Sequence, residues 1–222
     1  MIDRSGFWIE EAVLAESECE QMVNALSNCS LKRSRAGARH LMSHPAVAAL
    51  ASDRRLLAMA RRALGAGAVP YRATLFEKSG RSNWLVVWHQ DTALPLEARF
   101  DAPDWGPWSE KAGIIYAHAP ASALSRIVAL RVHLDAATSE NGPLRVVPAS
   151  HMAGLMTDEQ VFAFADAREH VECLVGRGGV MAMRPLLVHS SPKARSGGPR
   201  RVLHIEYAGV LELAAGIRLA IA

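Results

Sequence analysis

Two regimes of hydrophobic patterning divide the chain. Up to about residue 67 it reads as helical. Ser17-Glu18-Cys19-Glu20 has the Ser-x-x-Glu form of a capping box and predicts a helix through about Leu26, led in by Ala12-Val13-Leu14. Pro45 suits a first helical turn and predicts a second helix through Leu50. A third is predicted from Asp53 to about Leu64, with Gly65 as its stop. From Tyr71 onward apolar residues come instead in short runs broken by Gly, Pro and Asn. Eight strands are predicted, at 71–78, 84–91, 127–135, 143–148, 171–175, 179–184, 186–191 and 200–209. Asn141-Gly142, between two of them, is a tight-hairpin signal. Eight short strands with turn residues between them suit a jelly roll, that is, a double-stranded β-helix. The reading is therefore mainly β with flanking helices. It is one domain over 1–222, in which the helical part (1–67) packs on one face of the eight-stranded core.

Two connections are too long to be plain turns. Residues 92–126 carry Trp105, Trp108, Tyr116 and His118, and this aromatic content predicts a lid-like insertion. Residues 149–170 contain a helix-like segment from Asp158 to Arg168.

Composition changes this picture little. The chain has 222 residues, half of them hydrophobic, and a net charge of +3, too mild to argue for nucleic acid. Arg54, Arg55, Arg61 and Arg62 read as a solvated helix face rather than an anion site. No apolar run reaches membrane-spanning length, and no secretory signal is visible at Met1-Ile2-Asp3-Arg4-Ser5. Cys19, Cys29 and Cys173 lack metal-type spacing and read as small buried thiols, which makes a cytoplasmic location the default expectation.

Candidate chemistry gathers where apolar strands end in polar residues. Trp84-Leu85-Val86-Val87-Trp88-His89-Gln90-Asp91 is a run of strand formers closing in His-x-Asp. Residues two apart on a strand face the same way, so His89 and Asp91 can aim at one point. Leu186-Leu187-Val188-His189 supplies a third donor. Two histidines and one carboxylate on one face of a metal bind non-haem Fe(II) and leave positions open for substrate. Rivals exist among the nine histidines. His133-Leu134-Asp135 has the same spacing but runs into the Asn-Gly signal. His204-Ile205-Glu206 reads as a strand histidine with an ordinary acid neighbour. His118 is read as a surface residue of the lid rather than a substrate contact, and His40, His44, His151 and His170 are assigned no chemistry. Arg200 begins the strand after His189, and its rigid guanidinium fork suits the far carboxylate of a dicarboxylic co-substrate. Ser191 is placed to offer a hydroxyl to the same group. Arg201 must face the other way.

These segments jointly resemble the phytanoyl-CoA dioxygenase family. The resemblance rests on Gly6-Phe7-Trp8-Ile9 leading into Ser17-Glu18-Cys19, on His89-Gln90-Asp91, on Asn141 to His151, on Leu187 to Ser191, and on Pro199-Arg200-Arg201. It implies an Fe(II)- and 2-oxoglutarate-dependent oxygenase on a double-stranded β-helix, with O2 as co-substrate and ascorbate as a stimulant. It further implies iron on His89, Asp91 and His189, and 2-oxoglutarate on Arg200 and Ser191. Looser transfers put Thr74 and Trp108 at the co-substrate. Ala149 stands where the family often has Gly. Asp91 favours hydroxylation, because halogenating relatives lack that carboxylate. The expected substrate is a small molecule, with neither nucleic acid nor membrane as partner. Two other readings stay open. One is a non-oxidative Zn(II) or Ni(II) isomerase or hydrolase on the same triad, and the other is a binding protein that keeps the fold without turnover.

Overall fold

The computed structural model describes residues 2–29, 31–34, 37–79, 82–195 and 198–222. The eight predicted strands are present and divide equally between two antiparallel sheets. The larger sheet runs Phe7–Glu10, Val180–Met183, Ile127–His133, Arg200–Ala208 and Val69–Lys78, then two short strands, Gly37–Ala38 and Arg33–Ser34. The smaller runs Val171–Cys173, Leu144–Val146, His189–Ser191 and Val86–His89. Together they form the double-stranded β-helix.

Alternation along the central strands sorts their side chains between two very different surroundings. Val128, Leu130, Val132, Leu203, Ile205 and Tyr207 face outward and pack with Leu56, Met59 and Ala60 of helix Arg54–Leu64 in one apolar core. Asp53 caps that helix by accepting the Arg55 N–H at 2.8 Å. The predicted helical part therefore lies on the outer face of the larger sheet. Burying this many aliphatic side chains, at ~1.5–3 kcal/mol each, is the main favourable term in the fold. The opposite face of the same strands, turned into the barrel, carries Arg72, Thr74, Lys78, Arg131, His133, Arg200, His204 and Glu206, every one well shielded from water.

Some local expectations need correction. Asn141-Gly142 makes no hairpin, because Ile127–His133 and Leu144–Val146 belong to different sheets. Asn141 instead accepts from Thr138 N at 2.9 Å and donates to Ala136 O at 2.8 Å, folding a crossover. Gly142 holds φ +70°, and a Cβ there would lie 2.4 Å from Pro192 O. The first long helix, Glu16–Ser27, is capped at Ala15 rather than Ser17. Its Glu18 takes the Ala15 N–H at 2.8 Å and pairs with Arg55, which sets the start two residues earlier. Cys29 is exposed, with its sulfur 3.0 Å from His44 Nε2, so the buried-thiol reading holds for Cys19 and Cys173 alone. The helix in the second long connection is shorter than expected, Asp158–Asp166. The lid-like insertion has a sheet of its own, Ala93–Leu96 paired with Ile114–His118, which pairs in turn with Trp108–Lys111. No described helix is long and apolar enough to cross a membrane.

The Tyr207 hydroxyl donates to Ala51 O at 2.8 Å and ties the helices to the sheet. Tyr207→Phe should lower stability by about 1 kcal/mol, read as a lower urea midpoint at unchanged slope.

Candidate metal centre

His89 ends one strand of the smaller sheet and His189 begins its neighbour, and the two are directly paired across the ladder. Their rings lie 4.1 Å apart between centroids. Each ring is fixed the same way, its Nδ1–H donating to the carbonyl two residues earlier. These are Val87 O at 2.8 Å for His89 and Leu187 O at 2.7 Å for His189. Both Nε2 atoms are thereby turned toward Asp91, whose carboxylate oxygens lie 3.6 Å from one and 3.5 Å from the other. Gln90 points the opposite way and locks the loop, donating to Gly154 O and Leu186 O and accepting from Met156 N, all within 3.0 Å. The three donor atoms lie within 4.8 Å of one another, the one such group among the described residues.

Two of the three donors rest in the form that a metal needs, whereas for His89 burial is outweighed by the bond to Asp91, which raises the imidazole and leaves a proton that a metal would displace. Burial, reinforced by the neighbouring His89 ring, holds His189 down at about 3, so it stays neutral. Burial opposes the charge on Asp91 as well, but the flanking imidazoles outweigh it and hold its carboxyl well below the ordinary range. An ionised carboxylate and a neutral imidazole are the forms that coordinate metal.

The rival pair is drawn apart. His133 is buried, with Nδ1–H donating to Arg131 O at 3.0 Å, and Asp135 is taken by Arg201 at 2.7 and 2.8 Å. His204 is the bonded strand histidine expected, 3.2 Å from Arg131 Nη1.

Beside the triad lies a cavity of about 90 Å³, lined also by Phe76, Lys78, Trp84, Arg131, Ser191 and Arg200. Arg200 faces inward and Arg201 outward. The Arg200 Nη2 lies 3.4 Å from Ser191 Oγ, which accepts the Lys78 ammonium at 2.7 Å and donates to Gly142 O at 2.9 Å. Arg200 Nε and Nη1 are buried with no partner among the described residues, as is Arg131 Nε. Unmade bonds of this kind are costly and point to a missing acceptor.

Comparison with known proteins agrees with this geometry. The family model for phytanoyl-CoA dioxygenase (PhyH) matches residues 2–202. The chain belongs to that family. None of the curated proteins matches it significantly. Among solved structures, AviO1 from Streptomyces viridochromogenes Tue57 is 22% identical over 93% of this chain and 91% of its own, with a TM-score of 0.66. HygX from Streptomyces hygroscopicus, solved with nickel and 2-oxoglutarate, is 20% identical over 93% and 84%, also at 0.66. EctD from S. alaskensis, solved with 2-oxoglutarate and 5-hydroxyectoine, is 20% identical over 93% and 73%, at 0.69. At these identities the likeness establishes the fold.

Within this phytanoyl-CoA dioxygenase family member, not every expected residue reaches the cavity. Thr74 lines a second, larger cavity, which shares Phe76, His89 and Asp91 with the first. Trp108 packs edge-on against Phe100, ring centroids 5.1 Å apart, inside an apolar cluster that the lid shares with the core strands, and lines neither cavity. Two residues that line the first cavity were missed. Lys78 shares the parity of Thr74 and Phe76 along its strand, which was a readable signal. Arg131 interrupts the apolar run Ile127-Val128-Ala129-Leu130, and a cation there has nowhere to go but the barrel. Burial, then Arg200 and Arg131, push the Lys78 ammonium down to about 7.

The triad should bind one divalent transition metal per chain. His189→Ala should abolish this stoichiometry and His133→Ala should leave it at one, by metal analysis after dialysis. Lys78 adds a pH dependence. Its ordinary pKa lies near 10.5 and its folded value near 7, so the unfolded chain binds the extra proton between them. The ligand-free protein should therefore gain stability as pH rises from about 7 toward 10, and Lys78→Met should flatten that slope in urea titrations.

Proposed function

We propose that the protein is an Fe(II)- and 2-oxoglutarate-dependent oxygenase that hydroxylates a C–H bond of a small molecule. One observation carries this reading: the unpartnered Nε and Nη1 of Arg200 stand in the wall of the cavity that the metal-binding triad also lines. A guanidinium with a free edge beside a metal site suits a ligand that chelates metal at one end and carries a carboxylate at the other. Structures of HygX with nickel and 2-oxoglutarate, and of EctD with 2-oxoglutarate, support it by analogy of fold.

The donor set fits iron, with His89 Nε2, Asp91 and His189 Nε2 on one side and the rest of the coordination sphere left to ligands. Bound iron and 2-oxoglutarate would supply dioxygen activation and oxidising equivalents, the 2-oxoglutarate leaving as succinate and carbon dioxide. The chain's own part is positional. Val87 O and Leu187 O hold the imidazole tautomers, as second-layer acceptors do in metal sites. Arg200 clamps the distal carboxylate and Ser191 orients it, while Lys78, whose ammonium donates to Ser191 Oγ and to the Ser191 and Pro192 carbonyls, fixes that hydroxyl and adds positive charge. Lys78 takes the co-substrate role that the family resemblance had suggested for Thr74 and Trp108, because its side chain is in that cavity and theirs are not. Trp84 and Leu144 wall the cavity against water. A purely Lewis-acid enzyme on the same triad would leave the Arg200 edge without purpose.

Arg200→Ala should weaken 2-oxoglutarate binding by about 100-fold, roughly 3 kcal/mol for a buried charge-assisted pair. Arg201→Ala should change it less than three-fold. Calorimetry on the metal-loaded protein reads both. If wild-type protein with Fe(II), ascorbate and O2 neither binds 2-oxoglutarate nor releases succinate, the oxygenase reading fails.

A further inference from the structure

The second cavity, about 320 Å³, is also lined by His89 and Asp91, and three separate parts of the chain send cations into it. Arg72 comes from the core strand Val69–Lys78, Lys111 from the lid sheet, and Arg39 from the segment after the short strand Gly37–Ala38. Arg72 is ion-paired with Glu206 and donates to Ala93 O at 3.0 Å, so its charge is compensated. Arg39 and Lys111 have no acidic partner among the described residues. The Lys111 ammonium lies 4.6 Å from the Tyr116 ring centre, and Arg72 faces the same ring at 5.7 Å. His40 meets the Tyr116 hydroxyl at 2.8 Å, and Thr92 meets His118 at 2.7 Å, so hydrogen-bonding groups stand among the cations. The field is felt by its own members. Burial first, then Arg39 and Arg72, lower the Lys111 ammonium, and burial, then Arg72, Arg39 and Lys111, lower the His40 imidazole. Asp91 is the remaining acid in the wall, and its charge belongs to the metal.

We propose that this cavity binds the substrate through an anionic group, a phosphoryl or carboxylate, held between Arg39 and Lys111. The proposal rests on the oxygenase reading for the word substrate, while the anion site stands on its own residues. Half-buried Lys111 and exposed Arg39 converge on one concavity from different elements and repel each other, and an anion between them would turn that repulsion into attraction. The volume lies at the lower end for small-molecule pockets, and Phe76 and Ala93 are its only wholly apolar lining residues among those described. A small polar anion fits such a wall, and a long hydrocarbon chain does not. The lid strand would then select substrate with Lys111, while the first cavity keeps Arg200 for the co-substrate.

The probes are methyl phosphate, acetate and, as the uncharged control, methanol. With Mn(II) on the triad and 2-oxoglutarate saturating, paramagnetic relaxation of the 31P or 13C nucleus should be saturable for at least one anion and absent for methanol. Stronger relaxation of methyl phosphate assigns a phosphoryl group, and stronger relaxation of acetate a carboxylate. The double variant Arg39→Gln, Lys111→Met should weaken that binding at least ten-fold, with manganese and 2-oxoglutarate affinities within two-fold of wild type. Thermal stabilisation by the same anions, lost in the double variant, reads the site without metal. Neither anion bound, or binding unchanged in the double variant, would overturn the proposal. Loss of manganese or 2-oxoglutarate binding in the wild type would instead count against the oxygenase reading.

Discussion

The burial of Lys78, Arg131 and Arg200 on the inner face of one sheet, with no carboxylate paired to any of them, is the constraint under which the rest of the fold operates. Each buried cation costs free energy, and three close together repel one another as well. Burial and Arg131 bring the Arg200 guanidinium down to about 9, far from where arginine ordinarily lies. The outer face of the same strands must offset this, and its aliphatic side chains against helix Arg54–Leu64 do so. One sheet thus has a stabilising side and a costly side, divided by the two-residue period of the strand.

A chain of polar contacts runs from that costly side toward the second cavity. Arg131 reaches His204, whose Nε2 lies 3.8 Å from Glu206, and Glu206 pairs with Arg72. The strand Arg200–Ala208 carries His204 and Glu206 on one face in register with Thr74 and Arg72 of its neighbour. Strand Val69–Lys78 thus contributes to both cavities, which share Phe76, His89 and Asp91, while Arg200–Ala208 lends Arg200 to the first alone.

Much of this was legible in the sequence because it follows from period and punctuation. The eight strands, the helices at Pro45 and Asp53, and the triad all come from local pattern. So does the inward turn of Arg200 against the outward turn of Arg201. The direct pairing of His89 with His189 was not legible, since Greek-key winding alone left their separation open. Asn141-Gly142 misled because the same dipeptide serves a tight hairpin and an Asx-bonded crossover, and only the sheet assignment separates them. Trp108 was drawn toward the co-substrate by family resemblance, whereas the aromatic cluster with Phe100 claims its ring. Lys78 and Arg131 carried a signal that was there to be read. A charged residue at an inward position of an apolar strand is a site residue until shown otherwise.

The lid's separate sheet has a consequence for how such a protein changes over generations. Its three strands hydrogen-bond to one another, and its apolar residues pack with Tyr71, Ile127, Leu186 and Ala208 of the core and with Leu213, Ile217 and Leu219 near the C-terminus, where Ala220 N–H is bonded to Pro95 O at 3.0 Å. Lys111, Tyr116 and His118 ride on this unit, while every metal donor belongs to the sandwich. Mutations that rewrite the insertion leave the iron donors untouched, so descendants of one ancestor can trade preferences while inheriting the same reaction.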